Sequence, residues 1–164
     1  MALPNKVLPG FTAALYAQPG AAPTPLTTAQ LSLVASVSPI AVSGNILPVE
    51  AIPAFGQDDA VASFGVAGSR QSDKIPVQAA PTSMTITAAW NPADTNLLLM
   101  RADAYSGVID RTFIVSATEG SNIVYYAFNG RVGQFQIDAA PGAEAKCTFT
   151  VHPRGNQYGW SNNA

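Results

Sequence analysis

The stretch "SMTITAAWNPADTNLLLMRADAYSG", residues 83–107, changes its hydrophobic period midway. From 83 to 90 the pattern has period two: Met84, Ile86, Ala88 and Trp90 on one side, Ser83, Thr85, Thr87 and Ala89 on the other. That is the signature of a half-buried strand. Beyond it the period becomes helical, with Leu97, Met100 or Arg101, and Ala104 in one stripe and Leu98 and Tyr105 beside it. Asn91 is the expected N-cap, Pro92 suits the first helical position, Asp94 complements the positive end of the helix, and Gly107 ends it. The second face of the strand carries nothing large or charged, so its chemistry calls for a purpose other than catalysis.

The rest of the chain is dominated by short alternating segments. "QLSLVASVS" at 30–38 sets Leu31, Leu33, Ala35 and Val37 against Ser32, Ser36 and Ser38. "ILPVEAI" at 46–52 is extended, and Pro48 confines it to an edge. "RTFIVSA" (111–117), "NIVYYAFNG" (122–130), "RVGQFQID" (131–138) and "AKCTFTVH" (145–152) are expected strands, with Asn129–Gly130 as a hairpin signal. The expected fold is mostly β with one α-helix, an antiparallel sandwich or barrel-like sheet. The organisation is an N-terminal arm at 1–29, a β domain at 30–154 with a long irregular loop at 53–80, and a polar tail at 155–164. One face collects Leu33, Met84, Ile86, Trp90, Phe135, Ile137, Cys147, Phe149 and Val151. The other collects Ser32, Ser36, Thr85, Thr87, Gln134, Gln136, Asp138, Lys146, Thr148 and Thr150. A single helix covers one face of a sheet, so the second is wet or lines a cavity.

Composition narrows the function classes. The 164 residues suffice for one domain. Charged residues are 11% of the chain, well below the roughly 25% of ordinary domains, which points to a surface largely covered by other protein. The net charge of -2 gives no global attraction to nucleic acid. No apolar run reaches the roughly 18 residues of a membrane helix. Pro4, Pro9 and Gly10 interrupt any secretory signal, so a cytoplasmic origin is the default. The single Cys147 permits no intrachain disulfide and shares a face with Phe149 and Val151, as a buried inert thiol does.

Enzymatic readings are weak. His152 is the only histidine, which excludes a histidine metal cage and leaves any Ser-His-Asp triad one candidate, at a strand end before Pro153. "GVAGSR" at 65–70 lacks the spacing and lysine of a phosphate loop. Asp58 and Asp59 are adjacent and better read as a solvated or ion-pairing pair than as metal ligands. Trp90 reads as a core anchor. Trp160, in a polar Gly/Asn-rich terminus, reads as an interface residue. No catalytic residue, metal or cofactor is expected.

The order of arm, serine-rich strand, long loop, "SMTITAAWNPADTNLLLMRADAYSG", "RTFIVSA" and "FNGRVGQFQIDAAPGAEAKCTFTVHPRG" resembles the tail tube proteins of long flexible-tailed, lambda-type bacteriophages, over residues 30–154. No appended immunoglobulin-like domain is expected after the closing strand and short tail, so the resemblance carries no expectation about surface decoration. The resemblance implies a structural virion protein, assembled in the bacterial host cytoplasm, whose sheet continues between subunits in a hexameric ring. Rings would stack on a tape-measure protein, with tail terminator and baseplate or tip proteins as further partners, no membrane, and genome DNA passing down the bore without specific binding. Ser32, Ser36, Thr85, Thr87, Gln134, Gln136 and Asp138 would line that bore. Lys146 fits there only if Asp138 or Glu144 offsets it. Phe55, Asp58, Asp59, Phe64, Arg70 and Lys74 would join subunits or rings, with Asp58 and Asp59 of one ring pairing with Arg70 and Lys74 of the next. A capsid decoration protein and the tube of a contractile or secretion apparatus are the alternatives.

Overall fold

The computed structural model describes residues 12–21, 46–65, 72–119 and 122–162. The expected strand at 30–38, with Ser32, Ser36 and Leu33, and also Arg70, lie outside the described residues.

Strand β4 (Met84–Ala89) alternates in space as it does in sequence: Met84, Ile86 and Ala88 are buried while Thr85 is exposed. It lies antiparallel to β7 (Lys146–Asn162), with Met84 opposite Val151, Ile86 opposite Phe149 and Ala88 opposite Cys147. These cross-strand apolar pairs set the register, because a one-residue slip would turn every one of them to the other face. Next to β7 come β6 (Asn122–Asp138), β5 (Asp110–Glu119) and β1 (Thr12–Ala21), giving a five-stranded sheet in the order β1-β5-β6-β7-β4. β2 (Gln57–Gly65) and β3 (Ser72–Pro81) form a separate antiparallel pair.

The sheet curls until one short segment reaches both of its edges. Leu47 N donates to Leu15 O on β1 at 2.9 Å, and Glu50 N donates to Thr87 O on β4 at 2.9 Å. Ala89 N donates to Pro48 O at 3.0 Å. Proline has no N–H to give, and here only its carbonyl is used. A stretch of four residues spans at most about 14 Å, so the two edges must lie close together. Leu47 is buried in the same core as Leu15, Met84, Phe113 and Phe149.

Helix α1 (Thr95–Ser106) packs on this apolar face through Leu97 and Met100. Its N-cap is Asp94, not Asn91: the Asp94 carboxylate accepts from Asn96 N at 2.8 Å and Leu97 N at 3.2 Å. Asn91 instead accepts from Ala93 N at 2.9 Å, making an Asx turn through Pro92 that postpones the helix by one turn. Gly107 closes the helix in the left-handed region at φ 64°, as expected from sequence.

Four expectations give way to tertiary pairing. The arm contains β1, whose Leu15 and Ala17 are buried opposite Val115 and Phe113. The long loop is largely the β2–β3 hairpin, whose Asp, Gly, Ala and Pro residues hide its strand character from propensity. The polar tail continues β7, with Tyr125 opposite Trp160. Finally, Asn129–Gly130 is no hairpin turn: β6 runs straight through it. Asn129 is buried, and its Oδ1 accepts from Thr112 Oγ1 at 3.0 Å.

Gly130 is required for space rather than for a turn. A Cβ there would stand 2.7 Å from Val151 Cγ1 and 3.2 Å from the Phe113 ring. Both neighbours are fully buried, so neither can step aside. Gly130→Ala is expected to lower stability by about 1–3 kcal/mol. Urea unfolding checks this, as a lowered midpoint with an unchanged slope. Gly20→Ala, where a Cβ meets nothing within 4 Å, is the control expected to leave the midpoint in place.

Candidate functional site: the polar face of the sheet

The face opposite the core is built in cross-strand rows over β4, β7 and β6. Thr85 lies opposite Thr150, which lies opposite Gly133; Thr87 lies opposite Thr148, which lies opposite Gln136; Ala89 lies opposite Lys146, which lies opposite Asp138. Four of the expected lining residues, Thr85, Thr87, Gln136 and Asp138, therefore share one surface. The hydroxyls of Thr85 and Thr150 are 3.5 Å apart. Gln134 is exposed but stands in a bulge, at φ 53°, where the β6–β7 register shifts between Gly133 and Gln136. Ile137, expected in the core, is 42% exposed just beyond this bulge. Phe135 keeps its core contacts, edge-on to Trp90 at 5.7 Å and stacked on Phe149 at 5.9 Å.

Lys146 is offset, though not by Asp138 or Glu144. Its Nζ meets Glu50 Oε1 at 2.5 Å, and that contact raises the lysine pKa. Glu50 belongs to the segment that bridges the sheet edges, a placement that sequence spacing does not reveal. Two arginines on the same face also escaped the sequence reading. Arg131 Nε and Arg154 Nη1 each donate to the Asp110 carboxylate at 2.8 Å. Between this cluster and the threonine rows, Ser83 Oγ and His152 Nδ1 are hydrogen bonded at 2.9 Å. No acidic side chain orients His152 in the described residues, so this pair lacks the third member of a triad.

Farther along β5 and β6 the same face becomes apolar, with Ile114, Tyr125 and Ala127 buried and Tyr16 packed against them. Burial of Tyr125, together with the nearby Tyr16, raises its phenol pKa. On the core side, burial pushes the Cys147 thiol up. Among the described residues no group of histidine, cysteine, aspartate and glutamate side chains converges on a metal position. No described helix is long and apolar enough to cross a membrane.

The expected joining residues are placed unequally. Phe55 is half-buried and meets the Tyr126 ring edge-on at 5.1 Å, so it is engaged within its own chain. Asp58, Asp59 and Phe64 lie on β2 and Lys74 on β3, with Phe64 opposite Asp73 and Lys74 opposite Ser63. Val61, between them, is 52% exposed.

No family model and no curated protein matches the sequence. Solved structures do. A chain of the 6-fold symmetrised anti-feeding prophage baseplate superposes with a TM-score of 0.64 at 11% identity, covering 98% of this chain and 97% of that one. A chain of the anti-feeding prophage tube-terminating cap gives 0.63 at 11% identity, over 98% and 94%. The SPP1 tail tube gives 0.52 at 10% identity, over 94% and 77%. Among the described residues, the mostly antiparallel sheet with one helix, expected from the sequence, is thus the fold of these baseplate, cap and tail tube chains.

Proposed function

We propose that the protein is a structural subunit of a tail tube, not an enzyme, and that it self-assembles into stacked rings, hexameric by analogy with the 6-fold baseplate neighbour. The carrying observation is the polar face of β4, β7 and β6 on a fold shared over nearly its whole length with assembled tube and baseplate chains. In this reading Thr85, Thr87, Gln134, Gln136 and Asp138, with Ser32 and Ser36, line a bore through which genome DNA passes. Short neutral side chains suit that task, since a wall dense in Lys and Arg would hold phosphate by counterion release. The β2–β3 hairpin, with Asp58, Asp59, Phe64, Arg70 and Lys74, makes contacts between rings, and Trp160 contributes to a subunit interface. Tape-measure, terminator and baseplate or tip proteins are the expected partners, in a virion tail assembled in the host.

A tube inside a contractile or secretion-type apparatus is the second reading, favoured by the higher similarity to the anti-feeding prophage chains than to the SPP1 tube. Both readings require self-assembly. Electron microscopy of the protein expressed with its tape-measure partner is expected to show hollow tubes of stacked rings. Closed, non-polymerising knobs would favour a decoration protein instead, and a monomer alone at high concentration would sink both tube readings.

A further inference from the structure

Among the described residues of the polar face, Arg131, Arg154 and Asp110 form a cluster in which cations outnumber anions. Arg154 on β7 is the diagonal neighbour of Arg131 on β6, since Arg154 lies opposite Asn129 and Arg131 opposite His152. Diagonal neighbours in an antiparallel pair are about 7–8 Å apart. One carboxylate fixes both guanidinium groups, Arg131 on Oδ1 and Arg154 on Oδ2. Arg131 is further tied by its Nη2, which donates to Val108 O at 3.2 Å. The exposures are unequal: the Asp110 side chain is 9% accessible, Arg131 33% and Arg154 50%. The anion is thus withdrawn and the cations face outward, with a surplus of one positive charge per subunit. Among the described residues, Arg131 Nη1 and Arg154 Nε and Nη2 have no acceptor. Guanidinium donors held in a fixed fork are suited to phosphate oxygens, and little entropy remains to be lost when they bind.

We infer that Arg131 and Arg154, held by Asp110, form a phosphate-contact site for the backbone of duplex DNA. This rests on the conduit reading for its purpose. In a bore otherwise lined by threonine, glutamine, Asp138 and the paired Lys146, one ring of such contacts per layer of subunits would engage DNA weakly and periodically. The wall would then steady the duplex rather than merely let it slide.

The test is binding of a short fluorescent blunt duplex to the unassembled full-length protein, followed by anisotropy across a series of salt concentrations. Wild type is expected to bind weakly at low salt. Arg154→Gln and Arg131→Gln are each expected to weaken binding several-fold and to flatten the log–log salt dependence by about 0.9 per lost contact. Arg101→Gln, whose guanidinium lies over the Tyr105 ring on α1, is the charge control and should leave both values unchanged. Arg154→Gln should melt like wild type, because a half-exposed ion pair adds little stability. It therefore decides the matter even if Arg131→Gln folds poorly. No binding by wild type, no change in either variant, or an equal loss in Arg101→Gln would each overturn the inference. Hollow tubes in electron micrographs with an unchanged salt slope would defeat this site and leave the conduit standing. A changed slope in a protein that forms no tubes would do the reverse.

Discussion

Asp103→Ala is expected to cost about 3–5 kcal/mol of stability and to lower the melting temperature on the order of 10 °C. Asp103 is 1% exposed on the core side of α1, and Arg111, at the start of β5, is 5% exposed. The guanidinium grips the carboxylate at two points: Nη2 donates to Oδ1 at 2.8 Å, and Nε donates to Oδ2. Arg111 Nη1 also approaches Gln18 O on β1 at 3.4 Å. One side chain therefore ties the helix to two strands. Removing the carboxylate takes a two-point, charge-assisted contact from a buried guanidinium, and that accounts for most of the loss. A double variant, Asp103→Leu with Arg111→Met, should recover much of the stability, because a buried pair is often no better than well-packed apolar side chains of similar volume. Thermal and urea melts of the single and double variants check both statements. A single variant that melted within a degree of wild type would show that the pair contributes nothing.

This pair also marks a limit of sequence reading. Asp103 lies beside the expected stripe, three residues after Met100 and one before Ala104, and is buried with Leu97 and Met100. A carboxylate there signals a buried partner, but which cation answers it depends on how β5 returns beneath the helix. The same holds for Lys146: its sequence neighbours Asp138 and Glu144 were the evident candidates, and Glu50 won because 46–50 closes the sheet. What was legible was local. The alternation of Met84 to Ala89, the body of the helix that follows and the left-handed Gly107 depend on few residues and survive folding, with only the N-cap moving from Asn91 to Asp94. What was misread was non-local. Alanine, glycine and proline in β1, β2 and β3 have weak strand preference, and pairing supplies the order that propensity lacks. Asn129–Gly130 is a strong turn signal overridden because Gly130 must pass beneath Phe113 and Val151. Likewise the charges of the polar face, Arg131 and Arg154 on Asp110, are 23 residues apart in sequence and become neighbours only through the β6–β7 register.

The two faces of β4 give the most direct test of the whole arrangement, because adjacent residues should respond in opposite ways. Met84 is fully buried opposite Val151, with no polar partner within the cluster that surrounds it. Met84→Arg would place a cation there at a cost of several kcal/mol at least, against a total stability of about 5–15 kcal/mol for an ordinary domain. The variant is expected to be unfolded or insoluble, with no tubes. Thr85, one residue on, is exposed, and its only described side-chain contact is the 3.5 Å approach of the Thr150 hydroxyl. Thr85→Arg should fold with a melting temperature close to wild type and still assemble. If this face lines the bore, each ring then gains a circle of cations directly beside the row that carries Arg131 and His152. DNA passage should slow, and the slowing should be relieved as salt rises, since each added phosphate contact steepens the salt dependence by about 0.9 in the log–log plot. Circular dichroism separates the two variants at the level of folding, and timed genome ejection separates Thr85→Arg from wild type at the level of function. Folding lost in Thr85→Arg and kept in Met84→Arg would mean that the faces are reversed. Normal ejection by Thr85→Arg tubes would mean that the polar face of β4, whatever it contacts, does not meet the DNA.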